Sequence, residues 1–162
     1  MISIQDNYLD EKEYQTLYDS ITGDRFPWYF NSYKVYQHEI ENELEAFQFV
    51  HTFYILDNIT SPAFNLLAPL LHKLNHKSLI KLNLNPYSQK LIVSAFHRDQ
   101  SFKCKVAIYY LNTNNGYTLF KEGKEKINSV KNRMIFFDSD AHHLGTNSTD
   151  CKNRLVLNFN YF

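Results

Sequence analysis

Residues 78–99 read SLIKLNLNPYSQKLIVSAFHRD. In its first half, Ile80, Leu82 and Leu84 alternate with Lys81, Asn83 and Asn85, and Tyr87 keeps the polar parity just beyond. A period of two sends alternate side chains to opposite faces of a strand, so Leu79–Asn85 is predicted to bury one face. The other face meets water or lines a polar cavity. Lys90–Phe96 is predicted as the next strand, and it leads into His97-Arg98-Asp99. In extended backbone, residues i and i+2 point the same way, so His97 and Asp99 can reach one metal ion from a single stretch of chain.

The same rhythm continues downstream. Lys103–Leu111, Tyr117–Lys121, Glu125–Val130, Arg133–Asp138 and Arg154–Tyr161 read as further short strands, seven in all with the first two. Asn114-Asn115-Gly116 and Glu122-Gly123-Lys124 offer positive-φ positions for tight turns between them. Many short strands separated by turn signals indicate a β-sandwich or jelly roll. In the last strand Leu155, Leu157, Phe159 and Tyr161 alternate with Arg154, Val156, Asn158 and Asn160. That second set again faces water or a polar cavity.

Upstream the period changes. Asp10 and Glu13 match a capping box, and Tyr14, Leu17, Tyr18 and Ile21 follow at helical spacing before Gly23. Pro27–Gln37 is aromatic and reads as extended, and Ala46–Leu56 alternates as a strand. Ser61 and Pro62 open a second predicted helix running through Phe64, Leu67, Ala68, Leu71 and Leu74, with a kink at Pro69. The expected architecture is one domain over 1–162, mainly β with flanking helices. Helices and strands occupy about 1–77 and a jelly-roll core about 78–162.

Composition narrows the function. Lys and Arg number 17 against 17 Asp and Glu, so the chain lacks the basic surplus that drives non-specific nucleic-acid or anionic-membrane binding. No apolar run approaches a membrane span, and Met1–Tyr14 has no signal-peptide pattern, which predicts a cytoplasmic protein without membrane association. Cys104 and Cys151 form no disulfide framework.

The chemistry gathers around His97 and Asp99. A second imidazole is available in His142-His143, neighbours that point to opposite sides of an extended segment. Two histidines and one acid suit Fe(II) and leave coordination positions open, whereas a structural zinc site is closed by four ligands, often thiolates. Arg154 follows His143 by eleven positions and can hold a carboxylate through two parallel hydrogen bonds. His38, His51, His72 and His76 read as surface or ordinary core residues.

The ordered set Phe96-His97-Arg98-Asp99, Ala107–Asn112, Gly116–Phe120, Asp138-Ser139, His143-Leu144-Gly145 and Arg154–Tyr161 resembles the Fe(II)/2-oxoglutarate-dependent oxygenases, in their prolyl-4-hydroxylase-like branch. About half of the chain carries this resemblance. It implies a double-stranded β-helix of jelly-roll, cupin-like form, with His97 and Asp99 at the end of one strand. It selects His143 as the third ligand, since the family places that ligand two residues before a small residue. His142 would then support the metal from behind or face substrate. Arg154 is implied to bind the distal carboxylate of 2-oxoglutarate, with Asn83, Asn85 and Tyr87 as further candidates for the same co-substrate. Val156 stands where many relatives carry a serine or threonine for that carboxylate, and Tyr117 where an acid is common, so prolyl-hydroxylase substrates do not transfer.

The resemblance further implies Fe(II), O₂ and 2-oxoglutarate as reactants, with ascorbate supporting turnover. Succinate and CO₂ would form while a C–H bond of a peptide, a protein or a small metabolite is hydroxylated. Asp99 counts against halogenation, for which relatives carry a small residue at this position. Two competing readings are a nucleic-acid demethylase of the same chemistry, disfavoured by the charge balance, and a cupin-like metal-binding module without turnover.

Overall fold

The computed structural model describes residues 1–34, 47–72, 74 and 77–162. The elements in chain order are β1 (Ser3–Gln5), α1 (Glu11–Thr22), β2 (Tyr29–Asn31), β3 (Gln48–Ile55), β4 (Asn58–Ile59), a 3₁₀ helix (Pro62–Leu67) and α2 (Ala68–Leu71). Then come β5 (Lys77–Pro86), β6 (Lys105–Tyr110), β7 (Tyr117–Phe120), β8 (Lys126–Asn128), β9 (Arg133–Asp138), β10 (His143–Gly145) and β11 (Asn153–Tyr161).

Two antiparallel sheets face each other as a jelly roll. The larger runs β1-β9-β6-β11-β5-β3-β2, with β4 on β3, and the smaller runs β10-β7-β8. The major sheet is apolar on both faces over much of its area. Its outer face, with Leu82, Tyr109, Leu155, Leu157 and Phe159, packs against α1 and the Pro62–Leu71 helices through Leu17, Ile21, Leu67 and Leu70. Its inner face meets the minor sheet through Val106, Ile108, Tyr110, Ile135, Phe137 and Val156 against Phe120 and Ile127. Each such fully buried side chain contributes about 1.5–3 kcal/mol. The inner space is therefore apolar at one side and polar at the other, where Lys81, Asn83 and Asn85 of β5 look inward beside Arg154 and Asn158 of β11.

Several sequence expectations change form. α1 begins as predicted, with the Asp10 carboxylate accepting from the Glu13 N–H at 2.8 Å. The second helix is not a continuous α-helix. Pro69 has no N–H and its ring crowds the carbonyl four residues back, so the Ala68 N–H closes onto Asn65 as a 3₁₀ turn and only Ala68–Leu71 is α-helical. Lys90–Phe96 is not a strand: beside β10 it forms no ladder, only the isolated bridge of Val93 to Thr146 and the contacts of Ser94 with Gly145, with the bridge of His97 to His143 just beyond, and Val93 is 49% exposed. Gly116 has no positive φ; it is needed because a β-carbon there would lie 2.5 Å from Arg154 Cδ. Gly123 does carry one, at +143°. Of Pro27–Gln37 only Tyr29–Asn31 is strand, and positions 35–37, Ala46, His38 and His76 lie outside the described residues.

Candidate metal centre

The segment before Asp99 is tied to β10 by a reciprocal pair of backbone bonds. The His97 N–H donates to His143 O at 2.9 Å, and the His143 N–H donates to His97 O at 3.0 Å. Residues paired this way send their side chains to the same face. The imidazoles accordingly sit with ring centroids 4.8 Å apart. Asp99 follows two residues later and turns its carboxylate towards both, with Oδ1 3.5 Å from His143 Nε2 and 3.8 Å from His97 Nε2. One donor atom from each of the three residues falls within 4.8 Å of the others.

Both rings are oriented from behind. His97 Nδ1 lies 3.1 Å from Ala95 O and His143 Nδ1 lies 3.2 Å from Ala141 O. A carbonyl only accepts, so Nδ1 carries a proton in each ring, and Nε2, turned towards the Asp99 carboxylate, presents a lone pair inward whenever it is deprotonated. Phe137 and Phe120 pack around the His143 ring, at centroid distances of 5.0 and 5.7 Å. The second carboxylate oxygen of Asp99 is buried without a hydrogen-bond partner. An orphaned anionic oxygen beside two convergent imidazole lone pairs is the donor set of a divalent cation such as Fe(II).

The charges agree with that geometry. Burial pushes the Asp99 carboxyl up, but its hydrogen bond to His143 and the positive charges of His143, His97 and Lys81 hold it below the ordinary carboxylate value. Burial pushes His143 down, and the bond to Asp99 outweighs it and leaves the imidazole above its ordinary value. His142 points the other way, to the outer surface, where Nδ1 meets Glu122 Oε1 at 3.0 Å. It is not among the residues that line the cavity beside His97, Asp99 and His143.

A cavity of about 350 Å³ adjoins the three residues. Arg154 forms part of its wall, although its side chain belongs to a residue only 3% exposed. Its Nε donates to Ser129 Oγ at 2.8 Å, Nη1 to Thr146 O at 3.1 Å and Nη2 to Thr118 Oγ1 at 3.4 Å. The guanidinium also lies 5.5 Å over the Tyr110 ring, whose hydroxyl donates to Thr118. A guanidinium has five N–H donors, so two remain without an acceptor among the described residues. Among the described residues no carboxylate pairs with it, and burial pushes its pKa down. A buried cation without a counter-ion at a cavity wall is a site for an anionic group.

Asn85 stands opposite Arg154 in the β5–β11 register and Asn83 opposite Val156; both line the cavity. Tyr87 does not. β5 ends at Pro86, the parity no longer holds, and Tyr87 is 54% exposed outside the cavity. Lys81 and Asn158, which alternation put on the polar strand faces without a role, and Thr118 also stand in the wall. Lys81 and Asn158 share the strand parity of Asn83 and Arg154, which is the signal that marks them. Thr118 comes from the opposing sheet and carries no such signal. His51 is an ordinary core residue, between Pro27 O and Ser61 Oγ at 2.7 Å each, and His72 is exposed.

The architecture matches solved structures across nearly its whole length. An oxidoreductase of the 2OG-Fe(II) oxygenase family from Burkholderia pseudomallei superposes with a TM-score of 0.70 at 11% identity, over 99% of this chain and 84% of that one. A prolyl hydroxylase from Trichoplax adhaerens, solved with a hypoxia inducible factor peptide fragment, gives 0.65 at 15%, over 99% and 83%. The viral collagen prolyl hydroxylase of Paramecium Bursaria Chlorella virus-1, solved with 2OG, gives 0.60 at 15%, over 98% and 94%. The chain has the fold of the Fe(II)/2-oxoglutarate oxygenases. No family profile matches its sequence. Nor does any curated protein. Within this oxygenase fold, the cavity lies between the two sheets and His97, Asp99 and His143 stand beside it.

Proposed function

We propose that the protein is an Fe(II)- and 2-oxoglutarate-dependent dioxygenase that hydroxylates a C–H bond. One observation carries the reading: two oriented histidines and a carboxylate with an orphaned oxygen share a cavity with a buried arginine that lacks an acid partner. A metal site alone would suit a non-catalytic cupin. The uncompensated Arg154 adds a place for the distal carboxylate of a diacid at a fixed distance from the metal ligands.

In this reading His97, Asp99 and His143 hold the metal through Nε2, a carboxylate oxygen and Nε2. The Ala95 and Ala141 carbonyls fix the rings so that no reorientation is needed when the ion binds. Arg154 binds and orients the co-substrate through its two remaining N–H groups. Thr118 and Asn85, beside the guanidinium, stand in for the hydroxyl that Val156 does not supply. The Phe120 and Phe137 rings shield the back of His143 from water. When bound, Fe(II) supplies the redox chemistry with O₂ and 2-oxoglutarate that releases succinate and CO₂ and oxidises the substrate.

The substrate is a peptide, a protein side chain or a small molecule. Two of the similar structures are described as prolyl hydroxylases, one with a bound peptide. No helix among the described residues is long and apolar enough to cross a membrane. The test is succinate formation from 2-oxoglutarate by the iron-loaded protein with ascorbate and O₂, across a panel of peptides, metabolites and alkylated nucleic acids. Succinate above the metal-free control is expected. Its absence throughout, with metal still bound, would leave the non-catalytic cupin.

A further inference from the structure

Lys81 is out of place for a core strand. It sits on the inner face of β5, with β3 on one side and β11 on the other, opposite Thr52 and Asn158. It lines the cavity, and among the described residues its side chain makes no hydrogen bond or ion pair; burial pushes its pKa down and the nearby Asp99 carboxylate pushes it up. A partly buried ammonium without an acceptor costs free energy that an apolar residue here would avoid. A divalent ion on Asp99 would remove even the attraction that Asp99 now provides.

The surroundings are cationic as well. Among the described residues, the charged side chains lining the cavity include the cations Lys81, Arg98 and Arg154 and one acid, Asp99. A divalent metal and a dianionic co-substrate cancel each other, so together they supply Lys81 with no net counter-charge. Arg154 and Lys81 are also well separated. Asn158, opposite Lys81, is four residues beyond Arg154 on β11, roughly 13 Å at about 3.3 Å per residue. A five-carbon diacid held at Arg154 and at the metal has both carboxylates engaged and leaves Lys81 facing the remaining space. Beside it, Asn158 has a carbonyl oxygen without a hydrogen-bond partner, which can take an N–H or O–H donor.

We propose that Lys81 binds a free carboxylate of the molecule to be hydroxylated, so that the substrate is a small amino or organic acid rather than a residue inside a polypeptide. This rests on the dioxygenase reading. Lys81 sets specificity and takes no part in the oxidation itself.

The test uses the full chain loaded with Mn(II) and saturated with 2-oxoglutarate in the absence of O₂. The probes are the proteinogenic L-amino acids and short straight-chain monocarboxylic acids, each beside its primary amide, screened by thermal shift and measured by calorimetry. At least one acid is expected to bind about tenfold or more tighter than its amide. Lys81→Met should erase that preference, Lys81→Arg should retain it, and Lys81→Gln replaces Lys81→Met if the latter fails to unfold cooperatively. The affinity for 2-oxoglutarate should change less than about twofold in the neutral variant, in contrast to Arg154→Ala. The proposal is overturned if no acid is preferred over its amide, if the preference survives removal of the ammonium, or if that removal weakens 2-oxoglutarate as much as it weakens the acid. Wild-type protein that binds no 2-oxoglutarate at all would instead remove the dioxygenase reading.

Discussion

His97 and His143, 46 residues apart in sequence, exchange both of their backbone hydrogen bonds, and this one bridge aims the two imidazoles at a common point. Asp99 completes the set because it follows His97 by two residues and not because it pairs with any strand. The site therefore depends on a short contact between an irregular segment and β10, which the sheets on either side hold in place.

Asp99→Ala should lower the affinity for a divalent ion by roughly two orders of magnitude or more, since it removes the only anionic ligand. The fold should persist, because Asp99 lies at a cavity wall with an oxygen already unpartnered. Calorimetry with Mn(II) and thermal unfolding with chelator present give the two readings. Retained metal affinity would sink the ligand assignment.

Arg154→Lys keeps a positive charge and loses the fork. Hydrogen bonds to charged groups contribute about 1.5–3 kcal/mol each, so 2-oxoglutarate affinity should fall at least about tenfold. The variant should also be less stable than wild type, because the bonds to Ser129, Thr146 and Thr118 are buried. Calorimetry on Mn(II)-loaded protein and urea unfolding measure these separately, and an unchanged affinity would remove Arg154 from the co-substrate site.

Gly116→Ala should act on the same arginine from the other side. Its β-carbon would lie 2.5 Å from Arg154 Cδ and from the backbone oxygen of Asn147, which cannot yield cheaply. A loss of about 1–3 kcal/mol in stability is expected, together with weaker 2-oxoglutarate binding. Gly123→Ala meets nothing within 4 Å and has only its positive φ to strain, so it should cost about 1–2 kcal/mol and leave binding unchanged.

The His143–Asp99 pair should make the metal-free protein's stability depend on pH. His143 has a raised folded-state pKa, so its contribution is complete below the ordinary value of about 6.5 and is lost as pH rises through the raised value. Asp99 is depressed, so its contribution is present above its ordinary value of 3.8 and is lost as pH falls through the depressed value. The difference in melting temperature between wild type and Asp99→Asn, with chelator present, should therefore be largest in mildly acidic solution and shrink towards alkaline pH. Metal affinity should run the opposite way, rising with pH as Nε2 loses its proton. A stability difference that grows on the alkaline side would contradict the pairing.

Asn132 should be the costliest polar residue to replace away from the site. Its Oδ1 accepts from the Leu9 N–H and the Tyr109 hydroxyl, its Nδ2 donates to Leu9 O, and its backbone φ is +59°. Asn132→Ala would leave buried partners unpaired and place a less tolerant residue in left-handed backbone, for a loss of about 3 kcal/mol or more. Urea unfolding checks it. Metal binding should be retained by the folded fraction.

The amino-acid sequence by itself determined the elements whose signal is local. Period-two alternation marked β3, β5 and β11, short runs between turn signals marked β6 and β9, Asp10 and Glu13 marked the start of α1, and the two-residue spacing of His97 and Asp99 marked one half of the metal site. Alternation also sorted Asn83, Asn85 and Arg154 onto faces, but it could not say whether those faces met water or a cavity. Only the tertiary structure decided that, by closing the smaller sheet over them. It also brought His143, which the resemblance had selected over His142, beside His97 and Asp99, and it decided that β1 and β10 are strands at all, that Lys90–Phe96 is not one, and that Tyr87 stays outside. In each case the deciding partner is far away in the chain: a three-residue strand has too few positions to show a period, and exists only because another strand supplies its hydrogen bonds.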